Sequence, residues 1–148
     1  MATDTTITAT VAVVETSSNL QAKYYNKKLL SDVTFFVGEN AVEIPGHRAI
    51  IAAKSDVFEA QFSGVWSDKN EVKLEDVGEI AFKNILWFMY TDEIKVQPID
   101  LLEVLELSHR YNVTGIISAL CSEETFSIHG PTQVWKYLTY AIKVSDFG

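Results

Sequence analysis

The residues that could carry acid–base, nucleophilic or metal chemistry are few in this sequence and widely separated. The chain has three histidines and one cysteine, at His47, His109, His129 and Cys121. A zinc site needs several such ligands at short, recognisable spacing, and no glycine pattern of the phosphate-binding kind is present. A lone histidine at a helix start, such as His47, is more often a satisfied capping or core group than a catalyst. The sequence therefore predicts no catalytic residue, no metal site and no cofactor, and we expect a protein that is not an enzyme.

Composition limits the classes of partner. The chain has 148 residues, with 12 Lys and Arg against 20 Asp and Glu, so its formal net charge is −8, and 47% of its residues are hydrophobic. This length and apolar content are typical of one globular domain with its own core. The negative average field repels nucleic-acid phosphates, and no apolar run approaches the roughly 18 residues of a membrane-spanning helix. We therefore expect neither a nucleic acid nor a membrane among the partners.

Cysteine content and the first residues indicate the compartment. A single cysteine cannot form an internal disulfide. The opening run MATDTTITATVAVVET has an acid and no base before its mildly apolar stretch, so it lacks the charged start of a signal peptide. We expect a reducing, intracellular location in the cytoplasm, with the nucleus as an open alternative.

The elements that must position any binding residue begin with a hairpin. Residues 32–37 are β-branched and aromatic, a Gly-Glu-Asn turn follows, and 41–44 supply a second short strand. After a Pro-Gly pair, residues 47–53 and 56–62 are predicted as two short helices, with Ser55 as the cap of the second. The two helices should meet near this serine.

A buried helix is predicted in the middle of the chain. Its apolar residues repeat at helical spacing and cover nearly the whole circumference over residues 82–90, so it should lie in the centre of the domain. Asp76 and Glu79 resemble a weak capping box before it. Short strands at 72–74 and 94–96 flank it. The resulting order of elements predicts an α+β fold, with a small mixed sheet flanked by a cluster of helices.

The remaining segments are a possible strand and four helices. Residues 5–14 have strand character but no partner nearby, so we expect this strand to pair elsewhere, for example on another chain. Helices are predicted at 19–30, from Pro98 with an apolar face to Ser108, at 113–121 and at 132–144.

Three runs of this sequence carry a family likeness. They are LLSDVTFFVGENAVEIPGHRAIIAAKSDVFEAQFSG, EVKLEDVGEIAFKNILWFMYTDEIKV and LLEVLELSHRYNVTGIISALCSE. Together they resemble the BTB/POZ domain over residues 20–123. The resemblance implies the BTB/POZ fold, with residues 1–19 as an N-terminal segment that contains a strand exchanged with a partner, and residues 124–148 as the start of a BACK-like helical region. An unstructured N-terminus is the alternative for the first segment.

The resemblance to ubiquitin-ligase adaptors implies a contact for a cullin-3 type scaffold. The residues that it places at this contact are Phe62, Trp66, Asp68 and Tyr111. An exposed Trp66 would be a rigid anchor, whereas the alternative is that it folds back onto the domain. Asp68 stands where the family usually has Glu, which shortens the acidic arm by one methylene. The Tyr111 ring has two interpretations, beside this contact or in the core.

The resemblance also implies a homodimer. Its interface would contain Leu20, Tyr24, Leu30, Asp32 and Arg48, with the last two as the family's pair of charged residues close to the dimer interface. A structural role within one chain is the alternative for this charged pair, because buried charges are tolerated when they are paired.

The function that follows is a protein–protein interaction module. The first hypothesis is a homodimeric substrate adaptor of a cullin-3 type ubiquitin ligase, with an unknown substrate protein as its cargo. The second is a self-assembly or scaffolding domain of a transcriptional, channel or receptor complex that does not bind a cullin.

Overall fold

A computed structural model describes residues 7–10 and 18–120 of the chain. The strands are β1 (Ile7–Thr10), β2 (Val33–Val37), β3 (Val42–Gly46), β4 (Glu71–Leu74) and β5 (Glu93–Val96). The helices are α1 (Ser18–Ala22), α2 (Arg48–Lys54), α3 (Asp56–Ser63), α4 (Glu79–Thr91), α5 (Leu101–Arg110) and α6 (Thr114–Leu120), with a 3-10 turn at Pro98–Asp100. The predicted helix at 132–144 and the BACK-like region lie outside the described residues.

The main sheet has three strands in the order β3-β2-β4. β2 and β3 form the predicted hairpin, antiparallel, while β4 joins β2 in parallel. Gly38 lies in the turn with a φ of 77°, a conformation that costs glycine little. Phe35 lies opposite Ile44 on one side and Val72 on the other. All three are buried, so this row forms the inner face of the sheet.

Helix α4 is the centre of the helical cluster. It packs against α1, α2, α5 and β5, and eight of its residues are buried. Its amphipathicity is weak because apolar residues occupy almost every side. The prediction of a central buried helix is confirmed, as is the α+β fold class.

Strand β1 has a partner within the chain. It pairs antiparallel with β5, with Ile7 opposite Val96 and Thr10 opposite Glu93. The expectation that this strand pairs with a distant segment is confirmed, and its partner in the described residues is β5 of the same chain. Exchange of the strand between two chains stays a prediction.

The predicted helix at 19–30 is wrong in its extent. Helix α1 ends at Ala22, and turns follow in which Asn26 and Leu30 have positive φ angles of 53° and 58°. Tyr25 packs edge-on against Trp87, so the chain leaves helical geometry to bring this ring onto α4. Burial of an aromatic ring outweighs the helical pattern that the spacing of apolar residues predicts.

The predicted capping box before α4 is also wrong. The N-cap of α4 is Gly78, and it makes no side-chain capping bond. Its backbone N–H donates instead to the Glu103 carboxylate of α5, at 2.6 Å. A partner distant in sequence satisfies this amide, which local spacing could not indicate.

Candidate functional site

The loop that joins α3 to β4, residues 64–70, contains consecutive turns. The backbone N–H of Trp66 donates to Gln61 O at 2.7 Å, and that of Lys69 donates to Trp66 O at 3.1 Å. Ser67 N–H donates to Gly64 O at 3.1 Å. These bonds bend the α3–β4 loop back toward the end of α3, so it presents a defined surface.

An aromatic cluster of the core packs against this loop. Phe58 and Phe62, one turn apart on α3, stack on each other at 5.7 Å. Trp66 lies 6.0 Å from Phe58 and 6.1 Å from Phe62, between ring centroids. Trp66 is half-buried against the core, so the expectation of an exposed Trp66 is wrong. The two phenylalanines offer an apolar face on which the indole folds back.

Tyr111 joins the same cluster from the end of α5. Its ring stacks on Phe58 at 4.5 Å, and only 7% of the residue is exposed. Of its two interpretations, the structure therefore supports the core position, next to the cluster that carries the loop. Burial raises the pKa of the Tyr111 hydroxyl above its usual value. The neighbouring Arg110 opposes this shift through a hydrogen bond.

Ser55 fastens the cluster to the C-terminal helices. Its Oγ accepts a hydrogen bond from Phe58 N–H at 3.1 Å, which confirms the predicted helix cap. The same hydroxyl donates to the backbone carbonyl of Tyr111. Ser55 is buried, so one hydroxyl fixes the start of α3 relative to the end of α5.

Of the four residues predicted for the contact, Asp68 is exposed in the loop, and Val65, which was not predicted, is exposed as well. Val65 is 74% exposed, and Asp68 is exposed beside it in the loop. Sequence reasoning missed Val65, because a single valine in a turn carries no periodic signal. The exposed apolar side chain of the loop is therefore Val65, whereas Trp66 packs against the core.

A second surface collects most of the predicted interface residues. A cavity of about 280 Å³ is bordered by Tyr24, Leu30, Asp32 and Arg48, together with residues of the start of α2. Leu30 is 74% exposed. Leu20 is also exposed, on α1, but it does not border this cavity. The structure thus brings four of the five predicted residues together, and we call this surface the Leu30 face.

The predicted pair of Asp32 and Arg48 is wrong in its form. Asp32 is exposed, and its carboxylate accepts a hydrogen bond from the backbone N–H of Arg48 at 2.8 Å. The Arg48 guanidinium turns away to the α3–β4 loop, where it donates to Ser67 O at 2.9 Å and to Lys69 O. It also lies 5.5 Å from the Phe62 ring centroid. A capping carboxylate and a loop contact replace the expected ion pair.

His47 is a buried, hydrogen-bonded core residue, as predicted. Its Nε2 lies 2.7 Å from Leu29 O and its Nδ1 2.7 Å from the Tyr90 hydroxyl. Because a carbonyl can only accept, we assign the proton to Nε2, and Nδ1 then accepts from Tyr90. The Tyr90 oxygen in turn accepts from His47 N–H at 3.0 Å. Burial raises the pKa of this hydroxyl well above its usual value.

Neither a metal cluster nor a membrane span is found where the structure is described. Within residues 7–10 and 18–120, no group of three or more His, Cys, Asp or Glu side chains is placed to hold a metal ion. Over the same ranges, no helix has the length and apolar character needed to cross a bilayer.

Comparisons with known proteins agree with this architecture. The BTB domain of zebrafish PATZ1 is similar in structure, with a TM-score of 0.59 and 24% identity over 80% of this chain and 95% of that chain. This likeness concerns the fold. The chain is also 35% identical over 101 residues to human "BTB/POZ domain-containing protein 3" and to mouse "BTB/POZ domain-containing protein 6".

Those 101 residues are 66% of this chain and 19% of each relative, so the chain spans about a fifth of the length of these curated proteins. The family model of the BTB/POZ domain matches residues 22–126. This chain therefore belongs to the BTB/POZ domain family, whose members are modules of protein–protein interaction and self-association.

Proposed function

We propose that this chain forms a homodimer and serves, in the cytoplasm or nucleus, as a substrate adaptor of a cullin-3 type ubiquitin ligase. The observation that carries the proposal is the α3–β4 loop. It presents an exposed aliphatic side chain, Val65, and an exposed acid, Asp68, on a buried aromatic platform. In a protein interface, a buried apolar anchor provides affinity, and a charged group beside it fixes the orientation of the partner.

The platform makes the loop suitable for docking. Phe58 stacks on Tyr111 at the end of α5, Phe62 packs against Trp66 of the loop, and the backbone turns of the loop are hydrogen-bonded. A surface that is ordered before binding loses little conformational entropy when a partner arrives. In this proposal Asp68 contacts the cullin directly. The other predicted residues hold the loop in place from the side of the core: Phe62, Trp66 and Tyr111.

The Leu30 face supports the dimer. Leu30 has a φ of 58°, a left-handed conformation that costs a residue with a side chain about 1–2 kcal/mol. Because the Leu30 side chain is 74% exposed, its burial within one chain offsets little of this conformational cost. A strained and exposed leucine is a reason to infer a role outside the monomer. Burial against the same face of a second copy would be an isologous contact.

Calorimetric titration with the amino-terminal region of a cullin-3 type scaffold tests the adaptor role. We expect wild-type binding at micromolar concentration and a loss of about tenfold or more for Val65→Asp, because a charge replaces the exposed anchor. The matched control is Ile80→Asp, since Ile80 is likewise exposed and an acid is tolerated in the first turn of α4. Absence of wild-type binding at tens of micromolar would exclude this function.

Asp68 provides a second, opposite test of the same site. Asp68→Glu restores the acid that the family usually has and lengthens its reach by one methylene, so we expect cullin affinity to rise several-fold. The titration above measures it, with Asp56→Glu as control, because Asp56 is also an exposed acid but lies in the first turn of α3. Unchanged affinity for Asp68→Glu would show that this carboxylate does not contact the scaffold.

A second function is favoured by the position of Trp66. Because its indole is folded onto α3, the loop offers less apolar area than an exposed tryptophan would, and Asp68 carries a shorter arm. A BTB domain that organises a transcriptional, channel or receptor complex by self-assembly needs only the Leu30 face. A stable dimer without cullin affinity would favour this alternative.

A further inference from the structure

We propose that Arg48 is the positioning residue of the α3–β4 loop, and that it acts on docking instead of on dimerisation. The inference deepens the proposed adaptor function and rests on it for the identity of the partner. Arg48 borders the Leu30 face, which is where the family resemblance assigns it. Its guanidinium, however, hydrogen-bonds only on the loop side among the contacts of the described residues.

The two carbonyls that Arg48 holds lie on either side of Asp68. One guanidinium nitrogen donates to Ser67 O at 2.9 Å and the other to Lys69 O. A planar guanidinium donates in two fixed, parallel directions, whereas an ammonium group is a compact point charge. Arg48 therefore fixes the backbone immediately before and after the exposed acid. The position from which the Asp68 side chain leaves the loop follows from that backbone.

The environment of the guanidinium favours this single arrangement. It lies over the face of Phe62, at 5.5 Å from the ring centroid, a geometry in which the negative face of an aromatic ring attracts a cation. The Nε of Arg48 is buried and has no hydrogen-bond partner within the described part of the chain. Burial of this unpaired nitrogen costs solvation free energy, and the hydrogen bonds of the guanidinium to the loop offset that cost.

The acid expected to pair with Arg48 is occupied elsewhere. Asp32 accepts from the backbone N–H of Arg48, so it stabilises the first turn of α2, where a carboxylate is favoured. Among the described residues no carboxylate pairs with the guanidinium, and it donates to the loop carbonyls instead. The family resemblance places the two residues at one site, but the Asp32 side chain stabilises the start of α2 and the Arg48 side chain contacts the α3–β4 loop.

Amide hydrogen exchange and cullin titration of the whole chain test the proposal with Arg48→Lys and Arg48→Gln. The amides to follow are those of Trp66, which donates to Gln61 O of α3, and of Ser67 and Lys69, which are hydrogen-bonded within the loop. Both variants should accelerate their exchange by roughly tenfold or more, because each loses the two-carbonyl contact. The matched control is Lys54→Gln, which removes a cation from the same helix but one that pairs with Asp92.

Three results support the proposal together: faster exchange confined to the loop in both Arg48 variants, weaker cullin docking by a similar factor, and an unchanged dimer mass by light scattering. Restoration of wild-type loop exchange by Arg48→Lys would overturn it, since charge alone would then suffice. A loss of the dimer with the loop still protected would overturn it as well. If wild type binds no cullin but loop exchange rises, the adaptor function fails while the positioning role of Arg48 stands.

Discussion

At the scale of single residues, the contact between His47 and Tyr90 joins three parts of the chain. The Tyr90 hydroxyl is bound twice by His47, through the backbone N–H and the ring Nδ1, and the ring Nε2–H reaches Leu29 O. Helix α4, the start of α2 and the segment before β2 are thereby linked. The histidine works as a structural connector because every polar atom it buries has a partner.

Removal of the Tyr90 hydroxyl should destabilise the domain. Tyr90→Phe leaves a buried N–H and a buried ring nitrogen without their partner, which costs about 2 kcal/mol. The control is Tyr25→Phe, whose hydroxyl makes one partly buried bond to Lys83 O at 3.2 Å and should cost about 1 kcal/mol or less. Urea denaturation followed by circular dichroism measures both. Equal losses would show that the double contact with His47 adds nothing.

The buried tyrosines also predict how stability changes at high pH. Burial raises the pKa values of Tyr25, Tyr90 and Tyr111 above the ordinary value of 10.0. Above pH 10 the unfolded chain therefore releases tyrosine protons that the folded chain retains. The contribution of these tyrosines to the free energy of unfolding should be fully present below pH 10. It should decrease as the pH rises further.

Denaturant titrations between pH 8 and 11.5 check this dependence, with Tyr90→Phe as the comparison. Because one group contributes at most about 1.4 kcal/mol per pH unit, the decline above pH 10 should be shallower in the variant by up to that amount. Parallel curves for the two proteins would contradict the assignment of the raised pKa to Tyr90.

At the scale of elements, the junction between α3 and the end of α5 supports the proposed docking loop. Ser55 begins α3 as its cap and donates to Tyr111 O, and Phe58 stacks on the Tyr111 ring. The α3–β4 loop rests on the other end of this helix through Phe62 and Trp66. The loop's position therefore depends on elements that are distant in sequence.

Ser55→Ala should be more damaging than the same change at another buried serine. It removes the cap of α3 and leaves the Tyr111 carbonyl without its donor, at a cost of about 2 kcal/mol. Ser108 is as deeply buried, but its Oγ donates to Val104 O within its own helix, at 2.6 Å. Ser108→Ala should change stability by about 0.5 kcal/mol or less, since alanine favours the helix. Thermal unfolding compares the two.

The limits of prediction from sequence lie in contacts that no local pattern encodes. The hairpin, the Ser55 cap and the buried helix α4 were predictable because turn residues, capping chemistry and apolar periodicity act over a few neighbours. The Gly78 amide and the Arg48 guanidinium were not, because Glu103 and the loop carbonyls come from elsewhere in the chain. The same holds for Trp66, whose burial depends on the packing of α3.

At the scale of the whole molecule, the proposed function assigns protein contacts to two separate surfaces of one chain. The Leu30 face includes the start of α2, whereas the α3–β4 loop lies at the end of α3. Arg48 is the residue that touches both, through its position at the Leu30 face and its bonds to the loop. In the proposed adaptor, the first surface joins two subunits and the second leaves one docking site on each. Such a dimer would carry two scaffolds.

The dimer predicts a clear effect of charge at Leu30. In an isologous contact each subunit presents the same residue near the two-fold axis, so Leu30→Glu would place two carboxylates close together in a desolvated site. Because Leu30 is 74% exposed, the fold of one subunit should not change. We expect light scattering at tens of micromolar to give the mass of a monomer. Leu102→Glu is the control, since Leu102 is 50% exposed on α5 and does not border the Leu30 face, and it should remain dimeric. A dimer that survives Leu30→Glu would place the interface on another surface, and the strained backbone at Leu30 would then need a different explanation.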